Sequence, residues 1–148
     1  MSLHDSASRN RFPVAVHLFF FRDDRVLLLR RFNTGWEDGK YSVPAGHVEA
    51  GECVTQAAIR EANEELGVRL EPATLEVIHV MNRRSDDVRV DFFLLARDWA
   101  GEISNREPHR CDGLAWYPVG ALPEATIEYV RRALEHCRSG RFFSEHGW

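Results

Sequence analysis

The sequence predicts a single α/β domain in which a mixed β-sheet lies between one helix on each face. Three observations carry that expectation. Four apolar runs of strand character, residues 14–21, 26–29, 75–81 and 88–95, interleave with two segments of helical period, 53–66 and 123–139. The first run is apolar on both of its alternate faces, as a strand covered on both sides must be. The chain has 148 residues, 44% hydrophobic and 28% charged, which is enough to bury a core without disulfides.

Residues 1–11 open the chain with the polar run MSLHDSASRN and are expected to be a flexible segment, leaving 12–148 as the domain. They lack the apolar stretch of a signal peptide, and no run is long enough to span a membrane. Beyond Pro13, the turn Arg22-Asp23-Asp24-Arg25 joins the first two apolar runs as a hairpin. His17, flanked by Val16, Leu18 and Phe19, reads as a core histidine whose hydrogen bonds are satisfied. Residues 33–40, NTGWEDGK, form a loop on which Trp36 either stacks on a planar ligand or caps the edge of the core.

The helix expected over 53–66 places Ala58, Ile59, Ala62 and Leu66 on one side for packing and ends at Gly67. Its neighbouring face carries Glu61, Glu64 and Glu65, with Cβ atoms about 5–6 Å apart, and like charges so placed repel. A hard cation such as Mg²⁺ would remove that cost. Ala57, small and on the acidic side, would leave room for the ion. Cys53 stands where Ser, Thr or Asp is the usual N-cap, so a weak cap is expected.

Residues 75–81 and 88–95 should pair antiparallel across the connection 83–87, and a short strand is expected at 114–117. Pro123-Glu124 should open the last helix, with Ile127, Val130 and Leu134 at helical spacing. The aromatic tail, Phe142, Phe143 and Trp148, either covers the domain or meets a second subunit in a homodimer. The net charge of −4 argues against a nucleic-acid polymer or an anionic membrane as partner. Three cysteines without Cys-x-x-Cys spacing fit reduced thiols in a cytoplasmic protein without a structural metal.

Gly46, Glu52, Arg60, Glu61, Ala62, Glu64, Glu65, Gly67 and Val68 fill a fixed pattern: Gly, five residues, Glu, seven residues, Arg-Glu, aliphatic, any, Glu-Glu, any, Gly, aliphatic. This resembles the signature of the Nudix (MutT-like) hydrolases. The resemblance implies a Nudix-type α/β/α sandwich and an enzyme that acts on phosphoric anhydride bonds. Glu61, Glu64 and Glu65 would bind Mg²⁺, or Mn²⁺ in its place, with the carbonyl near Gly46 as a further ligand. Glu52 and Arg60 would pair to brace the loop on the helix.

For catalysis the resemblance offers two proton acceptors, Glu61 and Glu107, the latter in the late loop 102–111. Tyr41 would help to wall the substrate pocket. Arg83, Arg84 and Arg89 would either neutralise polyphosphate charge or lie in a solvated turn. The implied reaction is cleavage of a nucleoside diphosphate linked to another group. The proline that marks ADP-ribose hydrolases and the tyrosine that marks dinucleoside-polyphosphate hydrolases are both missing from the stretch beyond the motif, where Arg83, Arg84 and Ser85 stand. That absence, together with the stretch from Asn105 to Trp116, which resembles the corresponding stretch in nucleoside-triphosphate diphosphatases of the family, tilts the expected substrate toward a nucleoside triphosphate giving monophosphate and pyrophosphate. The alternatives are ADP-ribose or a nucleotide sugar as substrate, or a nucleotide-sensing module without turnover.

Overall fold

A computed structural model describes residues 10–148, so most of the segment expected to be flexible, residues 1–9, lies outside the described residues. The strands are β1 (Val14–Arg22), β2 (Arg25–Arg31), β3 (Tyr41–Ser42), β4 (Ala45–His47), β5 (Leu75–Arg84), β6 (Val88–Ala96), β7 (Cys111–Pro118) and β8 (Phe143–His146). The helices are α1 (Val54–Leu66) and α2 (Glu128–Arg138). The strand order is β3-β2-β1-β6-β5-β8, with β4 also on β1 and β7 also on β2. The β1–β6 and β5–β8 pairings are parallel and the others antiparallel, so the sheet is mixed as expected.

The alternation of β1 sorts the core into two layers. Val16, Leu18 and Phe20 point into the layer with Ala58, Ala62 and Leu66 of α1. Phe19 points into the opposite layer with Val130, Ala133 and Leu134 of α2. A strand carrying apolar side chains on both faces needs a helix on each side, which is why this run lacks a polar alternate.

The sheet opens where the site forms. β1 and β2 pair only at Phe21–Val26 and Arg22–Arg25, next to their hairpin turn. Beyond that, β1 takes β4 as partner through Ala15–His47, Val16–Gly46 and His17–Ala45. β2 instead takes β3 and β7. The two arms diverge, and the chain around Gly46 lies between them.

Two local expectations need correction. Cys53 does cap α1: its Sγ accepts from the Gln56 N–H at 3.4 Å, and Gln56 Oε1 accepts from the Cys53 N–H at 2.9 Å, a reciprocal pair that sulfur and an amide supply in place of hydroxyl and carboxylate. The last helix begins at Glu128 rather than at Pro123. Residues 125–127 are drawn into extended pairing with Tyr41, whose N–H donates to Ala125 O and whose carbonyl accepts from Ile127 N. That competing use of the backbone delays the helix. The tail adds β8 to β5 as an edge strand, while the rings of Phe142, Phe143 and Trp148 stay exposed.

Candidate active site

The acidic face of α1 is organised by Arg60. Its Nε and Nη2 donate to the two oxygens of Glu52 at 2.8 and 2.9 Å, a bidentate pair, and Nη2 also donates to the His47 carbonyl at 2.9 Å. Nη1 reaches Glu61 at 2.7 Å and Glu64 at 3.3 Å. The guanidinium thus ties the loop, β4 and the helix into one unit. Its hydrogen bonds hold the Glu52 carboxyl down at about 2. In the same network Glu52 raises the Arg60 pKa further.

Glu61 and Glu65 are in the opposite electrostatic condition. Burial pushes both carboxyls up, Glu65 well above the usual range, and neighbouring carboxylates including Glu107 add to the effect. Among the described residues Glu65 has one hydrogen bond, from the Ala45 N–H at 3.1 Å. A Cβ on Gly46 would overlap the Glu61 carboxylate, so any larger residue there would displace that carboxylate. Ala57 does not leave the open space expected for an ion. It is fully buried, since at this turn the acidic face adjoins the core stripe.

Two cavities flank the chain at Gly46. The first, about 320 Å³, is lined by Glu65, Glu107, Arg31, Arg110 and Asn105 among others. Asn105 builds the late loop: its Oδ1 accepts from the Glu107 N–H at 3.0 Å and its Nδ2 donates to the Cys111 carbonyl at 2.7 Å. The second, about 340 Å³, lies on the α2 side and is lined by Trp36, His17, Arg83, Arg89 and Tyr129. Trp36 sits on a loop fixed by Asp38, whose carboxylate accepts from the N–H groups of Thr34 and Gly35. The Arg31 guanidinium lies 4.9 Å from the Trp36 ring and donates to the Trp36 carbonyl at 2.7 Å. With 41% of its surface exposed, Trp36 is not a cap on the core.

Glu52, Arg60, Glu61, Glu65, Glu107 and Gly46 therefore come together, and Glu64 joins them at the exposed rim through Arg60. Among the described residues, no three His, Cys, Asp or Glu side chains are gathered tightly enough to hold an ion as they stand. Glu61 and Glu64 turn toward Arg60, which supplies the positive charge.

Two residues expected at the site lie elsewhere. Tyr41 lines neither cavity; its ring packs edge-on against Tyr117 at 5.5 Å, at the margin of the α2 layer. Arg84 points away from the cavities to Trp148, 5.5 Å from its ring, because strand alternation gives the inward position to Arg83. Arg83 is buried and donates from Nε to Asp91 at 2.6 Å, so it does not belong to a solvated turn. Arg89 pairs with Asp87 through two bonds of 2.9 Å.

Asp91 escaped the sequence reading. Burial raises its carboxyl, yet the hydrogen bond from His17 and the Arg83 pair outweigh this and hold it at about 2. The signal was His17 in the otherwise apolar run VAVHLFFF and the charged Asp91 within VRVDFFLL.

Comparison with known proteins identifies the family. The NUDIX domain family model matches residues 11–137. The human 8-oxo-dGDP phosphatase NUDT18 is 35% identical over 112 residues, 74% of this chain and 33% of that protein. The NAD-capped RNA hydrolase NudC of Pseudomonas aeruginosa is 40% identical over 103 residues, 69% of this chain and 34% of that protein. The chain thus spans about a third of the length of these relatives. A crystal structure of a MutT NUDIX hydrolase from Burkholderia pseudomallei superposes with a TM-score of 0.78 at 31% identity, covering 85% of this chain and 98% of that one. A family model that covers most of the domain, and a solved relative matched over nearly its whole length, agree with the motif and its geometry: the chain belongs to the Nudix hydrolase family.

Proposed function

We propose that the domain, residues 12–148, hydrolyses a phosphoric anhydride bond of a nucleoside diphosphate derivative, and that the substrate is a nucleoside triphosphate released as monophosphate and pyrophosphate. The observation that carries this reading is the grouping of Glu61, Glu65 and Glu107 beside Gly46, at a cleft that also presents Arg31 and Arg110. Carboxylates that repel one another at a partly buried site are costly unless a cation and an anionic ligand complete it.

The residues fit a divalent cation. The donors are hard carboxylate oxygens, and the half-buried Glu65 has a single hydrogen-bond partner among the described residues. Glu61, Glu64 and Glu65, with the Gly46 carbonyl, would hold Mg²⁺, and Mn²⁺ would suit the same oxygens. Such an ion, when bound, offsets phosphate charge and acidifies a water. Arg60 and Glu52 keep the loop on the helix, so that the carboxylates hold their spacing. Either Glu61 or Glu107 takes the proton from the attacking water. Arg31 and Arg110 balance phosphate charge in the first cavity. Trp36 stacks on the base in the second cavity.

The relatives named for 8-oxo-dGDP and for NAD-capped RNA have in common a substrate built on a nucleoside phosphate. The preference for a triphosphate rests on the missing markers beyond the motif and on the stretch from Asn105 to Trp116. A reduced, cytoplasmic setting fits three unpaired thiols. Among the described residues no helix is long and apolar enough to cross a membrane.

The test is a panel of nucleoside triphosphates, nucleotide sugars and ADP-ribose, scored with Mg²⁺ and with Mn²⁺. Metal-dependent release of pyrophosphate from triphosphates is expected. Faster turnover of ADP-ribose or a sugar nucleotide would overturn the substrate, and no turnover of any member would overturn the hydrolase reading.

A further inference from the structure

The hairpin of β5 and β6 forms one wall of the second cavity through Arg83, Ser85, Asp86 and Arg89. On the inner side Arg83 is held by Asp91 and by the Tyr129 ring, whose centre lies 3.7 Å from the guanidinium. Arg89 Nη1 lies 3.5 Å from His47 Nε2, so the hairpin touches β4 next to Gly46.

The outer side of the hairpin is held by the segment that follows α2. Along β5 alternate residues turn their backbone groups to this edge. The Val80 N–H donates to the Phe142 carbonyl at 2.8 Å, and β8 pairs with β5 from Val80–Phe143 to Arg83–His146. Where β8 stops, a side chain and a glycine take over. Trp148 Nε1 donates to the Asn82 carbonyl at 3.1 Å, and the Trp148 ring lies 5.5 Å from the Arg84 guanidinium. Gly147, at φ 86°, lies so close to β5 that a Cβ on it would overlap the Arg84 carbonyl oxygen.

Asn82 and Arg84 are the chain neighbours of Arg83, and Trp148 grips both. With 63% of its surface exposed, Trp148 adds little to the core, and neither it nor Gly147 lines either cavity. On the proposal that the nucleoside end of the substrate enters the second cavity, we infer that Gly147 and Trp148 are positioning residues of the active site: they clamp the outer edge of β5 and hold the 83–89 wall where a nucleotide needs it. Without the clamp the tip of the hairpin keeps only the pairing with β6, and a two-stranded tip with an open edge frays.

Three measurements on Trp148→Ala and Gly147→Ala, both at exposed positions, test the clamp. Amide hydrogen exchange should be at least about fivefold faster in residues 82–89 and unchanged in α1. Unchanged exchange in 82–89, or acceleration spread over the whole domain, overturns the inference. Calorimetric titration with AMP, GMP, CMP and UMP needs no turnover. The nucleotide bound most tightly by the unaltered protein should bind roughly three- to tenfold more weakly to either variant. Equal affinities, or binding of none of the four, overturns it. In hydrolysis of the matching triphosphate, KM should rise by a similar factor while kcat stays within about twofold, because the α1 carboxylates are untouched. An unchanged KM, or a loss carried by kcat, overturns it. Failure of the hydrolase reading shows separately, as absence of turnover by the unaltered protein, while exchange and binding still decide the clamp.

Discussion

Replacing Asp91 with Asn removes one charge from the buried network without changing the volume of the side chain. The carboxyl stands at about 2 against an ordinary 3.8, a depression that corresponds to roughly 2.5 kcal/mol of stability at neutral pH. Because the folded value is the lower one, that contribution is complete above the ordinary value and is lost as pH falls from about 4 through about 2. Loss of the charge also leaves Arg83, 4% exposed, without its counter-ion, and breaking a buried pair from one side costs about 3–5 kcal/mol. Both routes give a destabilisation of a few kcal/mol at pH 7. Urea unfolding of the two proteins at pH 7 and near pH 2.5 isolates the effect, since carboxyls common to both cancel in the difference. The gap between wild type and Asp91→Asn should narrow by about 2 kcal/mol on acidification. A gap of the same size at both pH values would refute the ionised Asp91 that orients His17 and Arg83.

Further outcomes follow from the acidic face and the loop. Glu65→Gln should lower kcat by at least about a hundredfold while leaving the protein at least as stable as wild type near neutral pH, because the folded state disfavours the ionised carboxylate; thermal melts beside kinetics check both halves. Arg60→Ala should lower both activity and melting temperature, and Arg60→Lys should recover little, since an ammonium cannot reproduce the two-pronged bond to Glu52 together with the contacts to His47 and Glu61; full recovery by lysine would remove the bracing role. Trp36→Ala should raise KM for nucleotides by the equivalent of about 1–3 kcal/mol, with tyrosine restoring much of it and little change in melting temperature; a destabilised protein with unchanged KM would take Trp36 out of the binding site.

The acidic helix was legible because its chemistry is local. Glu61, Glu64 and Glu65 fall on one face by helical period alone, and the span from Glu52 to Arg60 is within reach of two long side chains. The two-layer core was equally readable from β1, whose run from Val14 to Phe21 is apolar on both faces apart from His17. What escaped depends on which strands become neighbours. His17 and Asp91 are 74 residues apart and meet only because β1 and β6 pair in parallel, a register that neither strand announces by itself. The exchange of Arg84 for Arg83 is a matter of one residue of strand phase, which fixes the face but is hidden by three arginines close together. Tyr41 was misplaced for a third reason: the extended segment 125–127 captured its backbone and drew it to the α2 layer.

We propose that the cleft beside Gly46 hydrolyses a nucleoside triphosphate between its α- and β-phosphates with a divalent ion held by the α1 carboxylates. The most direct measurement is separation of the products formed from one triphosphate with Mg²⁺, with chelator in place of metal, and by Glu65→Gln. Monophosphate and pyrophosphate in equal amounts are expected, abolished by the chelator and reduced at least about a hundredfold in the variant. Diphosphate with orthophosphate, or turnover that survives both the chelator and the loss of Glu65, would contradict it.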